Sequence, residues 1–169
     1  GLNNAITYNT AQDNIGGFKL TGINNTLSYN TAQNNIGNGF FLSSSSDNTL
    51  ILNTALGNSN SGFILYGTNS LNTLTYNTAQ YNDVNGFYLR DFSNNNTLTY
   101  NTALSNNNAG FQLLGGFNNI LSYNTAQSNN YGFLVWSSNS NILFNNTVKN
   151  SNHGFQLYQY SNNNAFTSN

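Results

Sequence analysis

Apolar positions recur along the whole chain in short pieces with period two, and nowhere at helical spacing. Rows that begin at each Asn-Thr pair start at Asn9, Asn30, Asn53, Asn77, Asn101, Asn124 and Asn146, in steps of 21, 23, 24, 24, 23 and 22 residues. A fixed step of about 20 to 50 residues marks a solenoid, propeller or array. Eight or nine places into each row stand Gly17, Gly39, Gly62, Gly86, Gly110, Gly132 and Gly154, each followed by Phe. Two places after each Phe come Leu20, Leu42, Leu65, Leu89, Leu113, Val135 and Leu157, on the same face of an extended strand.

A second apolar column, Ile6, Leu27, Leu50, Leu74, Leu98, Leu121, Leu143 and Phe166, lies three places before the row starts. Tyr8, Tyr29, Tyr76, Tyr100 and Tyr123 stand two places further on, on the same inward face, and are expected to fill the interior with Phe and Leu. A small column, Ala11, Ala32, Ala55, Ala79, Ala103, Ala126 and Val148, completes each row. The row-start Asn, and the Asn five places later, fit corners that visit the left-handed region, and stacked amides can bond from row to row. The expected fold is all-β: a single-stranded parallel β-helix (β-solenoid), about seven rungs of 21–24 residues with three short strands each, roughly 34 Å long.

Composition narrows the function more than the fold. Of 169 residues 41 are Asn, and Pro, Cys and Met are absent. An Asn-rich, nearly uncharged chain fits disorder by composition, but the strict row order opposes it. Net charge is −1, with Lys19, Arg90 and Lys149 scattered, so no nucleic-acid surface is expected. No apolar run reaches membrane-span length, so no membrane insertion is expected either. The chain begins at Gly1 without Met or leader, and reads as a mature product or an excised piece.

The row N-T-L-T-Y-N-T-A-x-x-N-x-x-x-G-F-x-L, intact at Asn72–Leu89 and Asn96–Leu113, resembles the right-handed parallel β-helix repeat of NosD-like periplasmic and cell-surface proteins. The resemblance covers the chain end to end. It implies the fold but not one activity, because that family includes sugar lyases and hydrolases, tailspikes, accessory copper proteins and structural surface arrays.

Chemistry is sparse. The acids are Asp13, Asp47, Asp83 and Asp91, no two in one column, and the single His153 has no Cys or Met to share a metal. No catalytic residue, metal or cofactor is expected, and the chain is read as no enzyme. Outward positions of the Gly-Phe strand are instead largely apolar, and Phe41, Ile64, Tyr66, Tyr88, Leu114, Leu134, Trp136 and Tyr158 form a candidate lateral interface. Neither end shows a cap, so Ile6, Tyr8, Phe18, Leu20, Phe155, Leu157 and Phe166 are candidates for head-to-tail contact.

The resulting expectation is one β-helix domain over residues 1–169, a subunit or excerpt of a longer array. It would be a structural extracellular or cell-surface protein that polymerises with itself. Two alternatives stand beside it: a β-helix that binds surface glycans, or less readily cleaves them, and an ice-binding solenoid, from pairs such as Thr73 with Thr75 and Thr97 with Thr99. Sequons for N-glycosylation fall at Asn24, Asn95 and Asn145.

Overall fold

The computed structural model describes residues Gly1–Asn169 and contains 22 strands and no helix, so no helix is long and apolar enough to cross a membrane. Three parallel sheets run side by side. The first comprises β1 (Ala5–Thr7), β4 (Thr26–Ser28), β7 (Thr49–Ile51), β10 (Thr73–Thr75), β13 (Thr97–Thr99), β16 (Ile120–Ser122), β19 (Ile142–Phe144) and β22 (Ala165–Thr167). The second comprises β2 (Thr10–Gln12), β5 (Thr31–Gln33), β8 (Thr54–Leu56), β11 (Thr78–Gln80), β14 (Thr102–Leu104), β17 (Thr125–Gln127) and β20 (Thr147–Lys149). The third comprises β3 (Phe18–Leu20), β6 (Phe40–Ser43), β9 (Phe63–Tyr66), β12 (Phe87–Arg90), β15 (Ala109–Leu114), β18 (Tyr131–Trp136) and β21 (His153–Leu157).

Each strand pairs with its counterpart one rung away, like residue on like: Leu74 on Leu50 and Leu98, Ala79 on Ala55 and Ala103, Phe87 on Phe63 and Phe111. The fold is the parallel β-helix expected from the rows, with the right-handed sense that the resemblance implies. Phe40, Phe63, Phe87, Phe111 and Phe133 are fully buried, with successive rings 4.6–4.8 Å apart and within 6° of parallel. Each contributes about 1.5–3 kcal/mol of burial before chain entropy is counted. The Leu and Ala columns also point inward, at the centres of three-residue strands.

The Ala column is small because the Gly column faces it. A Cβ on Gly86 would lie 2.7 Å from the Gly110 carbonyl oxygen and 2.8 Å from the Ala103 methyl. Close approach of the next rung therefore requires glycine before Phe in every rung but the last, where a Cβ on Gly154 would meet nothing.

Two sequence expectations are corrected at the corners. Tyr8, Tyr29, Tyr76, Tyr100 and Tyr123 do not fill the interior; they are exposed, with φ of 54–58°. Period two fails there because the strand ends one residue earlier, at Thr75 in β10 for example. Nor does the row-start Asn occupy the left-handed region: the residue before it does, and the Asn is buried as in Asn53, Asn77 and Asn101.

Buried asparagines form three ladders. One runs through Asn4, Asn25, Asn48, Asn72, Asn96, Asn119, Asn141 and Asn164. The second runs from Asn9 through Asn77 to Asn169, and the third from Asn14 through Asn82 to Ser151. Asn77 shows the unit. Its Oδ1 accepts from the Asn53 backbone N–H at 2.9 Å and Nδ2 at 3.0 Å, while its own Nδ2 donates to the Leu50 carbonyl at 2.8 Å and Asn101 Oδ1 at 3.1 Å. The first of these ladders escapes the column reading because its residues stand inside runs such as Asn94-Asn95-Asn96.

Asn77→Ala leaves the Asn53 N–H and one Asn53 Nδ2 proton unpaired in the interior and removes a side-chain donor from the Leu50 carbonyl. At about 1–3 kcal/mol for each orphaned donor the loss should reach at least ~2 kcal/mol, read as a lowered urea midpoint by circular dichroism. Tyr76→Asn, at the adjacent exposed corner, should stay within about 1 kcal/mol of the parent. Gly86→Ala, which opposes backbone rather than a flexible side chain, should lower the same midpoint clearly.

Candidate functional site

The outer face of the third sheet gathers the chain's least repetitive side chains. Register sets Phe41, Ile64, Tyr88, Gln112, Leu134 and Gln156 in one file. Beside it run Ser43, Tyr66, Arg90, Leu114 and Trp136, and Tyr158 follows β21 on the same side. The candidate lateral residues are thus brought together, but as floor and rim rather than a flat stripe. Ile64 and Leu134 are 7% exposed, whereas Tyr66, Trp136 and Tyr158 stand 40–44% exposed. Large rim side chains at one file cover the smaller ones at the other.

Arg90 lies centrally on this face. Its guanidinium carbon is 5.2 Å from the Tyr66 ring centroid and 5.5 Å from that of Tyr88, and its Nε donates to Asp91 Oδ2 at 2.9 Å. The terminal nitrogens make no hydrogen bond within the chain. Partial burial works against the Arg90 charge, but Tyr88, the Asp91 hydrogen bond and charge, and Tyr66 offset it, so the guanidinium titrates above its ordinary value. Burial likewise pushes the Tyr88 phenol up, opposed by Arg90 and assisted by Asp91. At neutral pH this is a fixed cation between neutral phenols, suited to a carboxylate or to sugar hydroxyls.

Ring orientation separates this face from the corner tyrosines. Tyr8 with Tyr29, and Tyr76 with Tyr100, stack at 4.8 and 5.1 Å and 6° from parallel, so neighbours cover each other's faces. Phe41 with Tyr66 and Trp136 with Tyr158 are tilted by 42° and 47° at 6.1 and 5.0 Å, which leaves ring faces open to a flat partner.

The opposite margin is polar in its middle. Asn85 donates from Nδ2 to Gln112 Oε1 at 2.9 Å, and its Oδ1 accepts from Asn108 Nδ2 at 2.9 Å and the Ala109 N–H at 3.1 Å. Further on, Tyr131 replaces Asn85 in this file and stacks on His153 at 4.9 Å. Two hollows open on the face: one of about 330 Å³ beside Lys19, Asn38 and Phe41, and one of about 160 Å³ lined by Tyr131, Leu134, Trp136, Gln156 and Tyr158.

Other candidate residues fall elsewhere. Of the end-to-end set, Ile6, Phe18, Phe155 and Phe166 pack half-buried against the core, and Leu157 is exposed. Leu20, in the terminal strand β3, is buried beside Leu42, and Tyr8 projects from a corner of the first rung next to the terminal strand β1. Asn24 and Asn95 are exposed left-handed corner residues, and Asn145 sits half-buried at another corner. The Thr73–Thr75 and Thr97–Thr99 pairs face outward on the first sheet, flanked by Ile51 and Ile120. Sequence reading left Arg90 out of the lateral set; the available signal was Tyr66 standing 24 residues before it, one rung away in register.

The family model described as periplasmic copper-binding protein (NosD) matches residues 2–108 and 85–169. No curated protein matches the chain. Among solved structures, the periplasmic alginate epimerase AlgG aligns with a TM-score of 0.84 at 18% identity, over 97% of this chain and 50% of that one. The Azotobacter vinelandii mannuronan C-5 epimerase AlgE6 A-module gives 0.70 at 17%, over 96% and 57%. The Agl-KA catalytic domain gives 0.79 at 13%, over 98% and 36%. The chain spans about half the length of these structures or less, and at such identities the likeness is one of fold.

These findings correct the expectation of a structural, filament-building protein and of a chain that is no enzyme. The rods it resembles are carbohydrate-modifying proteins by name, and the glycan reading set beside the filament is the one they favour. Copper fares differently. The chain has no thiolate or thioether, its one imidazole is exposed and stacked on Tyr131, and no three His, Cys, Asp or Glu side chains come together. These residues do not fit a copper centre.

Tyr88 should ionise above the ordinary tyrosine value in an ultraviolet tyrosinate titration, identified as the component lost in Tyr88→Phe. Arg90→Gln should raise it further, because the cation holds the phenolate form down in energy. A Tyr88 component that moves down in Arg90→Gln would contradict the assigned proximity.

Proposed function

From a chain that belongs to the NosD family of parallel β-helix repeat proteins, we propose a carbohydrate-active β-helix that receives an acidic polysaccharide along the outer face of its third sheet. The observation that carries this reading is Arg90, held between Tyr66 and Tyr88 on an aromatic-rimmed trough with its terminal nitrogens available. A guanidinium presents paired donors to a uronate carboxylate, and the tilted rings offer faces to the apolar sides of pyranoses.

Geometry along the axis supports a polymer rather than an isolated sugar. Successive rungs are about 4.8 Å apart, close to the advance of one residue in an extended glycan, so rings and rungs keep step. The epimerases of similar fold are named for alginate and mannuronan, both acidic polymers. Exported location follows from the same proposal, since the family description and the AlgG structures are periplasmic; surface glycans are the partner class.

Calorimetric titration with sodium alginate and with a neutral glucan tests this. Alginate should bind, more weakly as salt rises, and Arg90→Gln should reduce its affinity about tenfold to a hundredfold, the worth of a charge-assisted hydrogen bond of ~1.5–3 kcal/mol. Absence of binding to either polymer would overturn the reading.

A further inference from the structure

The hollow near β18 and β21 differs from the rest of the trough by one unmet hydrogen bond. Gln112 and Gln156 occupy the same file, two rungs apart. Gln112 Oε1 accepts from Asn85 Nδ2, which reaches it from the preceding rung. For Gln156 the residue in that place is Tyr131, whose ring stacks on His153 instead of donating. Gln156 Oε1 is consequently the one buried side-chain oxygen or nitrogen with no hydrogen-bond partner. An acceptor left so is costly, and the same side chain lines the hollow, where a ligand hydroxyl would supply the missing donor.

We infer that this hollow is a sugar subsite: one pyranose ring lies against Trp136 and Tyr158 while Gln156 Oε1 accepts a hydrogen bond from one of its hydroxyls. This rests on the glycan reading above and adds where along the rod a ring is fixed and by which atom. Size agrees. Sites that enclose drug-sized ligands start near 300 Å³, and one of about 160 Å³ takes a single ring. The walls agree as well, since Trp136 and Tyr158 are tilted by 47° and expose inclined faces above the Leu134 floor.

A distance requirement follows. Arg90 in β12 precedes Trp136 in β18 by two rungs and Tyr158, after β21, by three, or roughly 10–14 Å at the usual strand spacing. One chain therefore engages the Arg90 anchor and the subsite together only when it is about three or four residues long.

Trp136 is the only tryptophan, so its fluorescence reports on this subsite alone. Mannuronate oligomers of defined length are titrated into the full chain while calorimetry records total binding. Trp136 emission should shift and saturate, with affinity rising steeply between dimer and tetramer. Gln156→Leu should weaken tetramer binding at least tenfold while the thermal midpoint holds or rises, because the orphaned acceptor is gone. Tyr131→Asn, which restores the donor found at Asn85, should weaken it comparably. Circular dichroism of both variants confirms that the rod is intact.

Calorimetric binding with unchanged Trp136 emission, or either variant binding as the parent does, overturns the subsite and leaves the glycan reading standing. Loss of all binding in the parent overturns both.

Discussion

The asparagine ladder is the interaction on which the rest of the molecule depends. Corners only five residues apart, as at Asn72, Asn77 and Asn82, would bury backbone and side-chain polar groups against a dry interior, where each unpaired group is costly. The amide of Asn77 meets that constraint completely, with two hydrogen bonds accepted at Oδ1 and two donated from Nδ2. Aspartate could accept but not donate, and glutamine is one methylene too long for the same pitch. Asparagine is thus the residue whose reach and donor-acceptor balance match a rung.

Because every ladder bond joins equivalent residues, a slip in register would break an entire file at once. That cooperative penalty keeps Phe63 on Phe87 on Phe111 and leaves the Gly86 backbone close against Gly110 and Ala103. The ladder also explains the strained corners. Each Asn of the three ladders is preceded by a left-handed residue, and the chain accepts Tyr, Leu or Ser there, as at Tyr76, Leu71 and Ser105. The conformational cost at each is offset by the amide bonds of the next residue.

Inward columns were legible in the sequence because they depend only on alternation within a strand, and Phe87, Leu89, Leu74 and Ala79 all face the core as the rows require. Tyr76 was misplaced by the same rule, applied one residue past the strand's end. Alternation says where a side chain points while the backbone is extended, and nothing about where extension stops. The corner Asn was recognised as structural, yet its left-handed role belonged to its neighbour, since tolerance of positive φ and a buried amide function compete for the same residue. Floor and rim at the trough were illegible for another reason. Ile64 and Tyr66 are both outward by parity, and only the lean of long side chains across a file decides that one is covered and the other open. The significance of Arg90 likewise needed the 24-residue offset that sets Tyr66 beside it.

A rod with few charges is well suited to local recognition of an acidic polymer. With net charge −1 and a single ion pair, no broad field attracts polyanions, so binding must come from contacts at short range. In the proposed reading Arg90 supplies one such contact: Asp91 engages the guanidinium through Nε and leaves the paired terminal donors without a partner in the chain. The rings beside it hold the cation at the surface rather than letting it fold into solvent. In the proposed glycan reading, specificity comes from phase: a rigid ladder places one anchor and one ring-sized hollow at a fixed number of rungs, and a sugar chain satisfies both only if its own repeat advances with the protein's.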